Sequence, residues 1–143
     1  MTRPAWPPDR VDHLGIVVRS IAVASGFYET LGLTVGPAET LPDDGVSAAF
    51  VVTGGTRLEL LEPLGSGGPI ARFLARKGEG IHHIAFDVRD IVAALDAARR
   101  AGVALIDATP RRGAHNTRIA FLHPKDTSGV LIELVESHYT STP

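Results

Sequence analysis

The chain has 143 residues, 44% of them hydrophobic and 21% charged, a globular balance that excludes disorder and fits one compact domain. Its 14 Lys and Arg and 16 Asp and Glu are scattered along the whole length, for a formal net charge of −2, so no basic stripe exists to neutralise nucleic-acid phosphates in series. Cysteine is absent, which removes disulfides, thiolate nucleophiles and thiolate-bound zinc, and leaves histidine and carboxylate as the residues able to hold a metal. No apolar run reaches the length of a signal peptide or a membrane span, so a soluble cytoplasmic protein with no membrane partner is expected.

In chain order, residues 1–10 carry three prolines and read as a short irregular arm. A strand is expected over 11–18, then Ser20 as N-cap, an amphipathic helix and a terminating Gly32. Strands follow at 33–40, 46–52 and 57–62, with a turn at Gly54-Gly55 before the last. Pro63 to Gly68 reads as a loop, and 69–77 as a short helix with Ile70, Phe73 and Leu74 on one face.

From residue 81 the pattern begins again. A strand over 81–88 leads to Asp90 as N-cap, a helix ending at Gly102, and strands at 103–107, 117–122 and 129–136, the last after the turn-rich Pro124 to Gly129. Sliding the chain by 70 residues sets 12–35 on 82–105 without a gap, and six of the 24 positions are identical: His13/His83, Val18/Val88, Arg19/Arg89, Ile21/Ile91, Ala24/Ala94 and Gly32/Gly102. The fold class is therefore α+β, with two tandem βαβββ modules, 11–63 and 80–136, in a single domain spanning 1–143. Each sheet buries one face under its helix, and the other face is expected to enclose a cleft where function resides.

Strand alternation assigns the faces. In 81–88, His82, Ile84, Phe86 and Val88 lie under the helix, which leaves His83 with Ala85 on the cleft side and gives His82 a structural role. In 11–18, His13 falls beside Gly15 in the same way, and the small residue two positions beyond each histidine leaves room for an approaching group. The final strands repeat a carboxylate, Glu59 in Arg57-Leu-Glu59-Leu-Leu-Glu62 and Glu133 in Leu131-Ile-Glu133-Leu-Val-Glu136. A carboxylate among aliphatic side chains needs a compensating cation. Two imidazoles and two carboxylates, His13, His83, Glu59 and Glu133, suit a divalent Zn, Co, Mn, Ni or Fe(II) with positions open for substrate.

These segments, with Asp12 to Val17, Leu58 to Leu64, Gly78 to Phe86, Phe121 to Asp126 and Gly129 to Leu134, resemble the vicinal oxygen chelate superfamily of paired βαβββ modules, and within it the methylmalonyl-CoA epimerases. The resemblance covers Val11 to Glu136. It implies a metal cofactor held by His13, His83 and Glu133, with Glu59 where the family has Gln or Glu, an acyl-CoA substrate and a homodimer. It also implies inversion of the carbon between a carboxylate and a thioester, with Glu133 the first candidate for proton transfer. Several such epimerases carry a glutamate three residues after the glycine of the first module's Gly-Val stretch, where Gly45-Val-Ser-Ala48 has alanine; the second acid or base is then Glu59, a water, Asp43 or Asp44. Lys125 and the segment Arg112 to Arg118 are candidates for phosphate or carboxylate recognition. The competing readings are a glyoxalase I-type lactoylglutathione lyase with the same metal geometry, an extradiol dioxygenase, and a metal-free binding protein of the bleomycin-resistance type.

Overall fold

The computed structural model describes residues 8–137, so the expected arm lies, over residues 1–7, outside the described residues. Two compact units divide the chain, His13–His82 and the residues on either side of it, with the divisions falling immediately before each of the two candidate histidines.

In the unit of residues 13–82, β1 (Arg10–Val17), from His13 onward, leads to α1 (Ile21–Thr30), then β2 (Thr34–Val35), β3 (Glu39–Leu41), β4 (Val46–Val52), β5 (Arg57–Pro63) and α2 (Pro69–Lys77). The strands run in the order β2-β4-β5-β1, with β3 also on β4; β1 and β5 are parallel and the other pairs antiparallel. Helix α1 starts where expected, Ser20 accepting from the Val23 amide, and stops at Gly32, whose φ of 87° is a left-handed conformation that glycine adopts without penalty. It covers Val18, Ile21, Ala49, Val51 and Leu60 on one sheet face, while α2 sets Ile70, Phe73 and Leu74 against Val17, Val46, Ala48 and Leu61 on the other.

The strand expected over 33–40 is two short strands. Gly36 makes the last bond of the first, its amide donating to Phe50 O, and Pro37, which has no amide hydrogen, cannot continue the ladder. Pairing with β4 resumes at Glu39.

The other unit contains β6 (Gly80–Asp87) from His83 onward, α3 (Ile91–Arg100), β7 (Arg111–Arg112), β8 (Arg118–Leu122) and β9 (Ile132–Glu136), with strand order β6-β9-β8-β7. Asp90 caps α3 by accepting from the Ala93 amide, and the helix buries Ile91, Ala94, Leu95 and Ala98 at helical spacing. The strand expected over 103–107 is an isolated bridge between Leu105 and Leu122. It meets β8 through a few backbone bonds, the Ile106 and Asp107 amides donating to Phe121 O and the His123 amide to Ala104 O, and through side chains, Asp126 accepting from the Ala104 amide and Asp107 from the Phe121 amide; the strand laddered on β8 is β7. The last strand begins at Ile132 rather than 129. Among the described residues, no helix is long and apolar enough to cross a membrane.

One repeat feature is a brace between strand and helix. Glu62, ending β5, accepts the Ile21 amide of α1 at 2.8 Å, and Glu136, ending β9, accepts the Ile91 amide of α3 at 2.9 Å. A carboxylate there satisfies an orphan amide and faces the positive end of the helix. Glu136 is buried and also takes Arg118 Nη2 at 2.7 Å, whereas Glu62 is half-buried. Glu136→Ala is expected to lower unfolding free energy by about 2–3 kcal/mol and Glu62→Ala by about 1 kcal/mol in urea titrations, because only the first leaves a charge-assisted network broken in the interior.

Candidate metal centre

Each unit builds one histidine-glutamate pair by the same local rule. In the parallel pair of β1 and β5, Gly15 is the register partner of Glu59, and in β6 and β9, Ala85 is the partner of Glu133. A side chain larger than these beside the glutamate would fill the space over it. The histidine two residues earlier therefore leans onto the carboxylate: His13 Nε2 lies 3.2 Å from Glu59 Oε1, and His83 Nε2 lies 2.9 Å from Glu133 Oε1. All four residues are buried, none more than 7% exposed.

An aromatic ring completes each pair. Phe50 on β4 is the register partner of Glu59 and meets His13 edge to face, with centroids 5.7 Å apart; Phe121 on β8 is the partner of Glu133 and meets His83 at 5.4 Å. Neither phenylalanine stands out in the sequence, because its place beside a glutamate depends on cross-strand register. An arginine stacks on each ring, Arg57 at 4.1 Å over Phe50 and Arg111 at 5.6 Å from Phe121.

The donor chemistry fits a metal. His13, Glu59, His83 and Glu133 offer imidazole nitrogens and carboxylate oxygens, the types that hold a borderline divalent ion, and in each pair the Nε2 and Oε1 atoms face one another. Glu133 lies on the sheet face of Ala85, Ile119, Val135 and Phe121, apolar surroundings in which an ionised carboxylate is costly without a cation.

The remaining sequence candidates are placed as follows. His82 lies on the opposite strand face from His83, its ring 5.0 Å from Phe73 of α2. Ala48 is buried in the apolar cluster of Val17, Val46, Leu61 and Ile70. Asp43 and Asp44 belong to a 3-10 turn over 42–44 closed by Gly45, Asp43 exposed and Asp44 half-buried. Arg118 is committed to Glu136, and Arg112 and Lys125 are exposed.

Paired βαβββ units that each contribute a strand histidine and a strand glutamate define a class, and residues 12–121 match the model of that class: the chain belongs to the glyoxalase/bleomycin resistance protein/dioxygenase superfamily. Within it the similarity is specific. The ethylmalonyl-CoA/methylmalonyl-CoA epimerase of Cereibacter sphaeroides is 44% identical over 128 residues, covering 87% of this chain and 96% of the relative. The crystal structure of methylmalonyl-CoA epimerase from Mycobacterium tuberculosis superposes with a TM-score of 0.86 at 40% identity, over 90% of this chain and 88% of that one. A methylmalonyl-CoA epimerase solved with methylmalonyl-CoA and NH4+ superposes with a TM-score of 0.87 at 38% identity, over 96% and 100% of the two chains.

If the pairs are metal ligands, His83→Ala and Glu133→Ala are expected to lose most of the divalent metal retained after exhaustive dialysis, as measured by elemental analysis. His82→Ala, on the other face, should retain it. Equal loss in all three would show that the strand face does not determine the ligand set.

Proposed function

We infer that this chain is a metal-dependent epimerase that interconverts (R)- and (S)-methylmalonyl-CoA. The observation that carries the reading is the 44% identity extending over 96% of an ethylmalonyl-CoA/methylmalonyl-CoA epimerase. The duplicated histidine-glutamate pairs support it, since inversion requires a proton to leave one side of a carbon and return on the other.

His13, Glu59, His83 and Glu133 would hold one divalent ion, of the Co, Zn, Mn or Ni type. Such an ion supplies Lewis-acid stabilisation of the negative charge that develops on the thioester oxygen. Glu133 takes the proton from the carbon between thioester and carboxylate, and its buried setting excludes the water that would otherwise solvate and weaken it as a base. Glu59 is the second acid or base. The apolar packing of Ala48 and the exposure of Asp43 favour it over those two positions.

The partner in this reading is an acyl-CoA. The absence of cysteine suits the reducing cytoplasm. A homodimer belongs to the same reading, and the exposed apolar residues Val23, Phe27 and Leu31 at helical spacing along α1 support it. Retention of both histidines and both glutamates favours the enzyme over a metal-free binding protein.

A single methylmalonyl-CoA enantiomer in deuterated water should yield the inverted product carrying solvent deuterium, and a chelator should abolish the exchange. Glu133→Gln keeps an oxygen ligand but removes the base, so exchange should fall roughly 10²-fold or more with metal largely retained. Glu59→Gln separates ligation from proton transfer: a collapse in turnover with metal bound identifies Glu59 as the second acid or base, and full activity identifies it as a ligand alone. No exchange with either enantiomer, together with turnover of a glutathione hemithioacetal, would replace this reading with the lyase.

A further inference from the structure

Phe50 and Phe121 stand in one relation to the two histidine-glutamate pairs, and the chain reaches that relation by two routes. Each is the cross-strand partner of a glutamate, Phe50 of Glu59 and Phe121 of Glu133, and each ring lies nearly perpendicular to the imidazole of the same pair, at 82° to His13 and 90° to His83. Yet Phe50 precedes Glu59 by nine residues and Phe121 precedes Glu133 by twelve, and the slide of 70 that aligns the histidines sets Phe50 on Ala120. The cations over the rings also differ in origin: Arg57 belongs to β5, the strand of Glu59, whereas Arg111 belongs to β7. A contact inherited passively from duplication keeps its spacing along the chain. One held at a changed spacing marks the geometry itself as the constraint.

The use of such a ring follows from the histidine side chain. Its χ2 is a broad, roughly two-fold torsion, so the strand backbone leaves the plane of the imidazole undetermined. The carboxylate selects the nitrogen, with Nε2 at 3.2 Å from Glu59 Oε1 in one pair and 2.9 Å from Glu133 Oε1 in the other, but contact at one atom lets the plane swing about it. An edge-to-face neighbour opposes that swing, because it sets the positive edge of one ring on the negative face of the other. Each phenylalanine is held in turn. Phe50 is buried and its carbonyl takes the Gly36 amide at 2.9 Å; the Phe121 amide donates to Asp107 Oδ2 at 2.8 Å, while Asp107 Oδ1 takes Arg111 Nε at 3.1 Å.

Resting on the metal-dependent reading, we propose that Phe50 and Phe121 are positioning residues that fix the imidazole planes of His13 and His83 for a divalent metal. They act through the histidines and take no part in proton transfer. Groups that orient a ligating histidine from outside are worth about 10- to 100-fold in metal affinity when they do so by hydrogen bonds, and a ring contact belongs at the lower end of that range.

The test is cobalt binding by the full chain, read by competition with a chelator and by the visible absorption bands of the bound ion, which report ligand geometry. Phe121→Leu keeps apolar bulk without a flat ring and should lose about tenfold in cobalt affinity, with altered bands. Phe121→Tyr keeps the ring and should restore both. Phe50→Leu should behave as Phe121→Leu does, and it carries the test should that variant fail to fold. Leu95→Ala, which opens a cavity between α3 and the opposite face of the sheet, should lower stability in urea and leave affinity and bands at wild-type values. Wild-type affinity and bands in the leucine variants overturn the inference, as does an equal loss of cobalt affinity in Leu95→Ala or in Phe121→Tyr, either of which would make the rings packing groups alone. A wild-type chain that takes up no cobalt removes the metal reading and this inference with it, an outcome distinct from an unchanged leucine variant.

Discussion

The constraint on which the rest depends is the cost of taking a carboxylate out of water. Glu59 and Glu133 sit in strands whose neighbours are aliphatic or aromatic, and each is nearly inaccessible to solvent. Removing an ionised carboxylate from water without compensation costs more than any single apolar contact returns. Much of the local architecture answers that cost. A glycine or alanine stands beside each glutamate so that an imidazole can reach it, and a phenylalanine on the other neighbouring strand closes the remaining side. A base and a cation that share little water act on one another at reduced screening, so the same desolvation would serve the proposed chemistry.

A second set of carboxylates shows how the fold separates scaffold from site. Glu62 and Glu136 occur three residues after Glu59 and Glu133, so alternation turns them to the opposite face, toward the helices. There they receive the first amides of α1 and α3. One short strand therefore presents a glutamate to each side, one bracing the helix and one available for chemistry, and the brace keeps the strand from slipping by the single residue that would exchange the two roles.

Alternation along single strands was legible in the sequence, and it placed His13, His83, Glu59 and Glu133 correctly with respect to the helices, because it needs only a period of two. The caps at Ser20 and Asp90 were equally local. Register was not legible. That Phe50 and Phe121 flank the glutamates and that Arg57 abuts His13 follow from long-range pairing, which no local pattern in the chain encodes. Two strand assignments failed for identifiable reasons: Pro37 interrupts the ladder within 33–40, and 103–107 meets β8 through a single bridge and a few backbone bonds, with the Asp107 and Asp126 side chains taking further amides. The helix-bracing roles of Glu62 and Glu136 were foreshadowed by their repetition in both copies, yet a repeated glutamate alone does not say which amide it serves.

The difference between Arg57 and Leu131 bears on how a duplicated fold copes with an unsymmetrical molecule. Two identical halves would offer a substrate two equivalent ways to lie, one of them with its thioester where its carboxylate should be. A cation in one copy, Arg57, and an aliphatic residue, Leu131, at the matching place in the other make the two copies inequivalent. In the proposed reaction, proton transfer to and from opposite sides of a carbon asks for two like groups, which duplication offers in Glu59 and Glu133; orientation asks for unlike ones, which only divergence between the copies can provide. The copies thus stay alike in their histidine-glutamate pairs and differ at Arg57 and Leu131.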